Sequence, residues 1–213
     1  MNYNSLVLQI QAYANRSDTL FVNQIPNFIN QGINRIYNEA KNIGFQVTAN
    51  GNMQIGVSTI NKPLNWKETI SLQYTINDNN TFLLPRVYEF CINYWPVQAT
   101  VSAPLFYADY NLPTQAVDQG QFYIVPTPDV TYPYTLTYLG LPEFNANGNN
   151  TQNFLTDRFP NLLLYSCMTE AAPFLKDDER VPVFESYYNR ALQNINRETT
   201  ERYTDRTSKR DKD

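Results

Sequence analysis

The side chains that could carry out acid–base chemistry are sparse in this sequence, and none of them is a histidine. The densest carboxylate group is Asp177-Asp178-Glu179, which could hold a divalent cation or act as an acid–base pair. Acidic residues between two predicted helices more often cap the second helix and favour its dipole, and we interpret these three in that way. The other carboxylates are scattered over predicted strands and loops, with no spacing that indicates a glycosidase pair. They include Glu68, Glu89, Asp109, Asp118 and Asp129.

The lack of histidine removes the commonest general base, the usual third member of serine and cysteine triads, and most zinc sites. No lysine follows a glycine, so there is no P-loop, and no glycine-rich turn resembles a dinucleotide-binding fingerprint. Cys91 and Cys167 are isolated, which predicts two reduced, buried thiols, as in an intracellular protein, rather than a disulfide or a metal cluster. The sequence therefore predicts a protein that is not an enzyme and needs neither cofactor nor metal.

Charge is distributed unevenly along the chain. The sequence has 16 basic and 20 acidic side chains, and its last 17 residues hold six and five of them, so the remainder carries about −5. A body of this sign binds DNA phosphates poorly, because such affinity comes mainly from Lys and Arg. The N-terminal residues lack the pattern of a signal peptide, and no apolar run reaches the length of a membrane span. We expect no membrane association.

Aromatic residues are the most abundant potential binding groups. Trp66, Trp95 and several of the 16 tyrosines could stack on sugar rings, which would suit a carbohydrate-binding module. Aromatic residues that alternate in strands are more often core or interface, and we favour that interpretation. Arg180, Arg190 and Arg197 are spaced along the last predicted helix. They form either a solvated face or a docking face for acidic partner loops.

These side chains must be positioned by helices at both ends of the chain. Helical spacing predicts a first helix over residues 5–16 and a second over 25–41, with Pro26 in its first turn and Gly44 ending it. A third helix begins near Pro160 and is kinked or ended by Pro173, and a fourth follows Asp177 or Asp178. The predicted core or inter-subunit positions on these helices are Phe28, Ile36, Phe184, Tyr188 and Leu192. We expect Phe184 and Leu192 to pack against Ile29 and Ile36.

The middle of the chain has the period of strands. Residues 45–57 predict a hairpin with a tight turn at Asn50-Gly51, and 70–76 and 88–94 predict two further strands. Residues 122–125 and 134–139 predict strands joined through the proline-containing turn 126–129.

The fold class expected from this order is α+β: a helical bundle built from the N- and C-terminal helices, with a β-rich insertion and a polar C-terminal tail. Residues 1–44 supply the N-terminal helices, 45–144 the insertion and 145–197 the helices that complete the bundle. Residues 198–213 form a charged docking tail with almost no apolar side chain, which cannot by itself offset the cost of ordering it.

Several segments resemble a known family. They are ANRSDTLFVNQIPNFINQGINRIYNEA near the start, FYIVPTPD and YTLTYLGLPEF in the middle, and NFLTDRFPNLLLYSCMTEAAPFLKDDERVPVFESYYNRALQNINRE towards the end. Together they resemble the head-to-tail adaptor, or connector, proteins of short-tailed bacteriophages. The resemblance covers most of the chain, and residues 50–119 are its least distinctive part.

The resemblance implies a structural virion protein of the phage neck, assembled in the host cytoplasm. Members of the family form a ring, generally of twelve copies, which joins the portal protein to the tail nozzle or tail tube and lines the channel for genome ejection. Genomic DNA would pass without specific binding. For portal docking we predict Arg197, Arg202, Arg206 and Arg210, the last three on one helical face. The alternative function is a tail protein with a carbohydrate-binding β domain.

Overall fold

The computed structural model describes residues 1–40, 45–110, 120–144, 151–177 and 179–208. These residues form six helices and seven strands. In chain order they are α1 (Tyr3–Ala14), α2 (Thr19–Ala40), β1 (Gln46–Met53), β2 (Thr59–Asn61), β3 (Trp66–Ile76), β4 (Asn79–Pro85), α3 (Tyr88–Tyr94), β5 (Phe106–Tyr110), β6 (Gln121–Val125), β7 (Tyr132–Gly140), α4 (Phe154–Arg158), α5 (Pro160–Leu175) and α6 (Val181–Ser208). The chain divides into a helical unit, Met1–Phe45 with Leu141–Asp213, and a β unit, Gln46–Gly140.

In the helical unit, α2 begins earlier than predicted. The carboxylate of Asp18 accepts a hydrogen bond from the backbone N–H of Phe21 at 3.1 Å, which caps the helix before Thr19. Pro26 therefore lies inside α2 and not in its first turn. The buried residues recur at the expected steps of three and four. They are Phe21, Ile25, Phe28, Ile29, Ile33 and Ile36.

Helices α2 and α5 approach each other closely at Gly32. The hydroxyl of the fully buried Ser166 donates to the carbonyl oxygen of Gly32 at 3.0 Å. A Cβ atom on Gly32 would lie 3.2 Å from the backbone nitrogen of Cys167, so a larger residue would push the helices apart. Helix α5 begins with Pro160 at its N-terminus and ends two residues after Pro173, as predicted.

The β unit is a seven-stranded sheet in the order β1-β7-β3-β4-β5-β6-β2. All neighbours are antiparallel except β4 and β5, which pair in parallel at Leu84↔Phe106 and Pro85↔Tyr107. The main core of the unit packs against one face of the sheet. Its largest fully buried members are Met53, Leu72, Phe122 and Ile124.

Two predictions for the β unit are wrong. Asn50 and Gly51 do not form a hairpin turn but lie within β1, where they pair with Thr135 and Tyr134 of β7. Residues 88–94 form helix α3 rather than a strand. In that helix Cys91 faces inward, whereas Phe90, Ile92 and Tyr94 are exposed, so the alternating pattern came from surface residues. The strands predicted at 70–76, 122–125 and 134–139 are confirmed within β3, β6 and β7.

The expected fold class is also wrong. The chain is not a helical bundle with a β insertion, because its described residues form a large, nearly closed sheet of seven strands as well as six helices. The sheet has enough apolar strands to bury a core of its own, which patterning of individual strands did not indicate. The backbone of α6 stays helical through Ser208 and so includes most of the segment expected to be a docking tail.

Candidate assembly surfaces

One face of α3 in the β unit is apolar and exposed. We call it the α3 patch, and it consists of Val87, Phe90 and Tyr94, which share a face at the spacing i, i+3 and i+7. Val87 is 66% exposed, Tyr94 42% and Phe90 38%. Single exposed apolar residues are ordinary on protein surfaces, but a group of them on one helix face is typical of interaction sites.

The aromatic side chains of the α3 patch are held in fixed positions. The rings of Phe90 and Tyr94 stack at 5.8 Å, and each meets the ring of Phe106 edge-on, at 5.3 and 5.1 Å. Arg86 places its guanidinium 5.6 Å from the Phe90 ring and 5.4 Å from the Phe106 ring. Preformed aromatic rings beside an arginine are the residue types enriched at the centres of protein interfaces.

Helix α3 is fixed to the sheet from below. Cys91 is fully buried against Ala108, Tyr123 and Val125, which belong to β5 and β6. Burial raises the pKa of the Cys91 thiol, so it remains a neutral packing group. The patch is therefore presented on a rigid support.

Trp66, one of the residues predicted as possible sugar-stacking groups, packs against other side chains of the β unit. The ammonium of Lys62 lies 3.9 Å from the centre of the indole ring, and the edge of Phe122 approaches the same ring at 5.8 Å. The side chain of Lys62 is 3% exposed and forms an ion pair with Asp109 at 3.0 Å. One face of the indole is thus occupied by the protein itself. Trp95 is half-buried beside Tyr94 and donates from Nε1 to the carbonyl oxygen of Thr100.

Among the described carboxylates singled out in the sequence, Glu68 and Asp109 line one cleft of the β unit together with Trp66 and Arg86, whereas Asp129 and Asp177 lie elsewhere. Asp177 pairs with Arg180, and its carbonyl oxygen accepts the backbone N–H of Arg180 at the start of α6, which fits a structural role. Asp129 accepts from the hydroxyl of Tyr132 at 2.7 Å. Asp118 and Asp178 lie outside the described residues. Within the described part of the chain, no group of three His, Cys, Asp or Glu side chains could hold a metal ion.

The helical unit has a charged cluster where α2, α5 and α6 meet. The guanidinium of Arg35 contacts Glu39 at 3.1 Å, Glu170 at 3.9 Å and Glu185, and lies 4.2 Å from the ring centre of Tyr188. The Tyr188 hydroxyl donates to Glu39 at 2.7 Å. The hydrogen bond to Glu185 raises the pKa of Arg35, and burial, with the hydrogen bond to Glu39, raises the pKa of Tyr188. Arg35 thus fixes α6, the helix that carries the predicted docking arginines.

The helix-face residues predicted from the sequence lie on one side of their helices. Phe28, Ile36, Phe184 and Tyr188 are buried, and Leu192 is half-buried. Helix α6 packs against α5 and α2. Sequence reasoning missed the α3 patch, because it assigned those aromatic residues to a strand.

The predicted docking arginines are only partly described. Arg197 is exposed on α6. Arg202 and Arg206 belong to the same helix, but their side chains, like the whole of Arg210, lie outside the described residues. Arg180 is engaged locally, since it pairs with Asp177 and donates to the carbonyl oxygen of Tyr13 at 3.2 Å. Arg190 is exposed.

None of the helices in the described part of the chain is long and apolar enough to cross a membrane. A search of the curated proteins finds no significant match. The family model of the SU10 adaptor protein, in contrast, matches residues 1–210, which is nearly the full length of the chain. The match confirms the resemblance to head-to-tail adaptors of short-tailed phages. The chain therefore belongs to the SU10 adaptor protein family.

Proposed function

We propose that this protein forms the ring that joins the phage portal to the tail nozzle and lines the channel through which DNA leaves. Membership of a phage adaptor family supports a structural role in the virion. The proposal adds three points to this structural role: that the protein forms a ring, that its partners are the portal and the nozzle, and that it has no enzymatic activity. Twelve copies would match the ring size that the family resemblance implies.

The α3 patch is the observation that carries this proposal. A ring is built from heterologous contacts, in which one face of a subunit meets a different face of its neighbour. Such a contact needs a rigid apolar surface on at least one side, and the fixed rings of Phe90, Tyr94 and Phe106 supply it. The nearby guanidinium of Arg86 favours a neighbouring surface that carries a carboxylate.

Portal docking is assigned to the end of α6. Arg197, Arg202, Arg206 and Arg210 would contact carboxylates and backbone carbonyls of the portal, since arginine makes strong charge-assisted hydrogen bonds to such groups. The docking segment also carries acidic side chains among these arginines, so docking depends on complementary charges rather than on an excess of one sign.

The charge of the chain suits a DNA channel. The residues before Arg197 carry about −5, which offers the phosphates little gain from counterion release. DNA would pass without being retained, and no specific DNA contact is required of the ring.

Changing the α3 patch tests ring formation. Val87→Asp alters a residue of the patch that is 66% exposed, so the subunit should fold normally but fail to form rings on purified portal. Leu20→Asp is the matched control, because Leu20 is 75% exposed but belongs to the helical unit. Native mass spectrometry of each variant, with and without portal, shows whether rings form. The wild-type protein should be mostly monomeric alone, and normal rings from Val87→Asp would contradict the proposal.

Truncation tests the docking segment. Deleting all residues after Arg197 should leave the melting temperature nearly unchanged, because the deleted segment has Tyr203 as its only large apolar residue. Portal binding should weaken and become less dependent on salt. Binding as tight as that of the full chain would show that the segment contacts another partner or none.

A further inference from the structure

The two ends of the sheet in the β unit differ in how they are protected. At one end, β2 is only three residues long, and Pro63 follows it after the buried Lys62. Short edge strands and proline are usual devices that stop an edge from pairing with another chain. This end of the sheet is therefore guarded.

The other edge strand in this order, β1, has none of these devices and is not hydrogen-bonded to β2. Strand β1 is eight residues long, with the sequence QVTANGNM, and contains no charge and no proline. Its register with β7 is continuous from Gln46↔Leu139 to Met53↔Tyr132, without a bulge that would twist the edge away. Among the described strands, β1 pairs only with β7. Every second residue of β1 thus directs its backbone N–H and C=O away from the sheet.

Side chains along β1 leave this edge accessible. Gln46, Thr48 and Asn50 are exposed and are all uncharged. The side chains of Asn50 and its register partner Thr135 are joined by a 3.0 Å hydrogen bond, which keeps the outer face of these strands polar and ordered. An incoming strand would meet neither a like charge nor a bulky apolar group on this face.

We propose that the free edge of β1 binds an extended, uncharged segment of about seven residues from another protein of the virion. The added segment would continue the sheet through backbone hydrogen bonds, and its side chains, hydroxyl- or amide-bearing, would lie beside the Thr48 and Asn50 row. The proposal rests on the proposed assembly of this protein in a phage neck.

A second copy of this chain fits the edge less well. The β2 edge of a second copy could pair over only three residues, against the eight that β1 offers. Pairing of β1 with β1 of a second copy would join identical surfaces about a two-fold axis, which makes a closed dimer and cannot build a ring. A segment of a different protein uses the full length of β1 and leaves the ring contacts free.

A charge placed on the edge provides the first test. Thr48→Lys adds a charge beside the free edge, whereas Thr137→Lys adds one on the same face one strand further in, at the register partner of Thr48. A photo-crosslinking amino acid is placed at Asn50 in both backgrounds and in the otherwise native chain, and purified virions are illuminated. We expect the native chain and Thr137→Lys to give a crosslink to one segment of another virion protein, and Thr48→Lys to reduce that crosslink at least tenfold.

Proline substitutions provide the second test. Val47 and Thr48 are neighbours in β1, so their N–H groups point to opposite edges of the strand. One of Val47→Pro and Thr48→Pro should therefore lower the melting temperature by breaking a bond to β7, while the other should keep the native value and lose the Asn50 crosslink. If both proline variants unfold, the Asn50 crosslink measured in the Thr48→Lys variant still tests the proposal.

The outcomes separate this proposal from the proposed function. Crosslinks only to another copy of this chain, or no crosslink, would overturn the edge proposal while native rings on portal still form. Absence of rings in the native protein would instead overturn the proposed function, whatever the crosslink shows.

Discussion

The ring of Tyr134 lies across the backbone of Gly51, its register partner on β1, so closely that a Cβ atom on Gly51 would stand 2.7 Å from the ring. An aromatic ring that covers a glycine on a neighbouring strand shields the backbone that glycine leaves bare. This contact explains why glycine is found within a strand, where it is otherwise unfavourable.

Gly51→Ala should therefore destabilise the β unit, by about 1–3 kcal/mol, because Tyr134 must leave its position. Urea denaturation followed by circular dichroism measures the change. In a Tyr134→Val background the same substitution should cost almost nothing or stabilise slightly, since alanine tolerates a strand better than glycine. Equal effects in both backgrounds would show that the ring does not determine the residue at position 51.

Arg35 leads to a second prediction, in the helical unit. Arg35→Gln would leave Glu39, Glu170 and Glu185 close together without their common cation. These carboxylates are partly exposed, so the expected loss is moderate, about 1–3 kcal/mol in the free energy of unfolding. Arg16→Gln is the control, because the Arg16–Asp18 pair is exposed and should contribute less than about 1 kcal/mol. Similar losses in the two variants would contradict the role assigned to Arg35.

The environment of Tyr132 predicts that the stability of the β unit changes with pH in the alkaline range. Burial, together with its hydrogen bond to Asp129, raises the pKa of Tyr132 to about 12. An unfolded tyrosine ionises near pH 10, so the folded state holds this proton more tightly. The resulting stability is complete below pH 10 and is lost as pH rises towards 12. Tyr132→Phe should lose less stability than the wild type between pH 9 and 12 in denaturant titrations, and parallel curves would contradict the prediction.

How far the sequence predicts the fold depends on whether a pattern reflects burial. In α2, and at Leu72 and Tyr74 of β3, the apolar residues face the interior, and their spacing predicted both elements, although α2 begins six residues earlier than predicted. In α3 the aromatic residues face outward, and an exposed aromatic residue cannot be distinguished from a buried one by its type. The same error concealed the α3 patch, because Val87, Phe90 and Tyr94 share a face at helical spacing but not in a strand.

Asn50-Gly51 shows a second limit of sequence reasoning. The dipeptide is typical of two-residue hairpin turns, which is why a turn was predicted. The reason for its glycine is Tyr134, which is distant along the chain, and no local pattern indicates that contact. The start of α2 differs from the prediction because Asp18 caps the helix six residues before the point where the apolar spacing indicates a start.

The face of α6 gives the last prediction. Phe184 is 6% exposed, so Phe184→Asp would place an unpaired charge in the interior of the helical unit and should cost about 3–5 kcal/mol. Leu192 is half-buried, and Leu192→Asp should lower the free energy of unfolding by less, about 1–2 kcal/mol, because the introduced carboxylate can reach water.

Val183→Asp is the control for this series. Val183 is 46% exposed in the first turn of α6, where a carboxylate favours the helix dipole, and its substitution should change stability by less than about 0.5 kcal/mol. Thermal and urea unfolding of the three variants give the ranking. A Phe184→Asp variant as stable as Val183→Asp would mean that α6 does not pack through the Phe184 face, and its arginines would then point elsewhere than proposed.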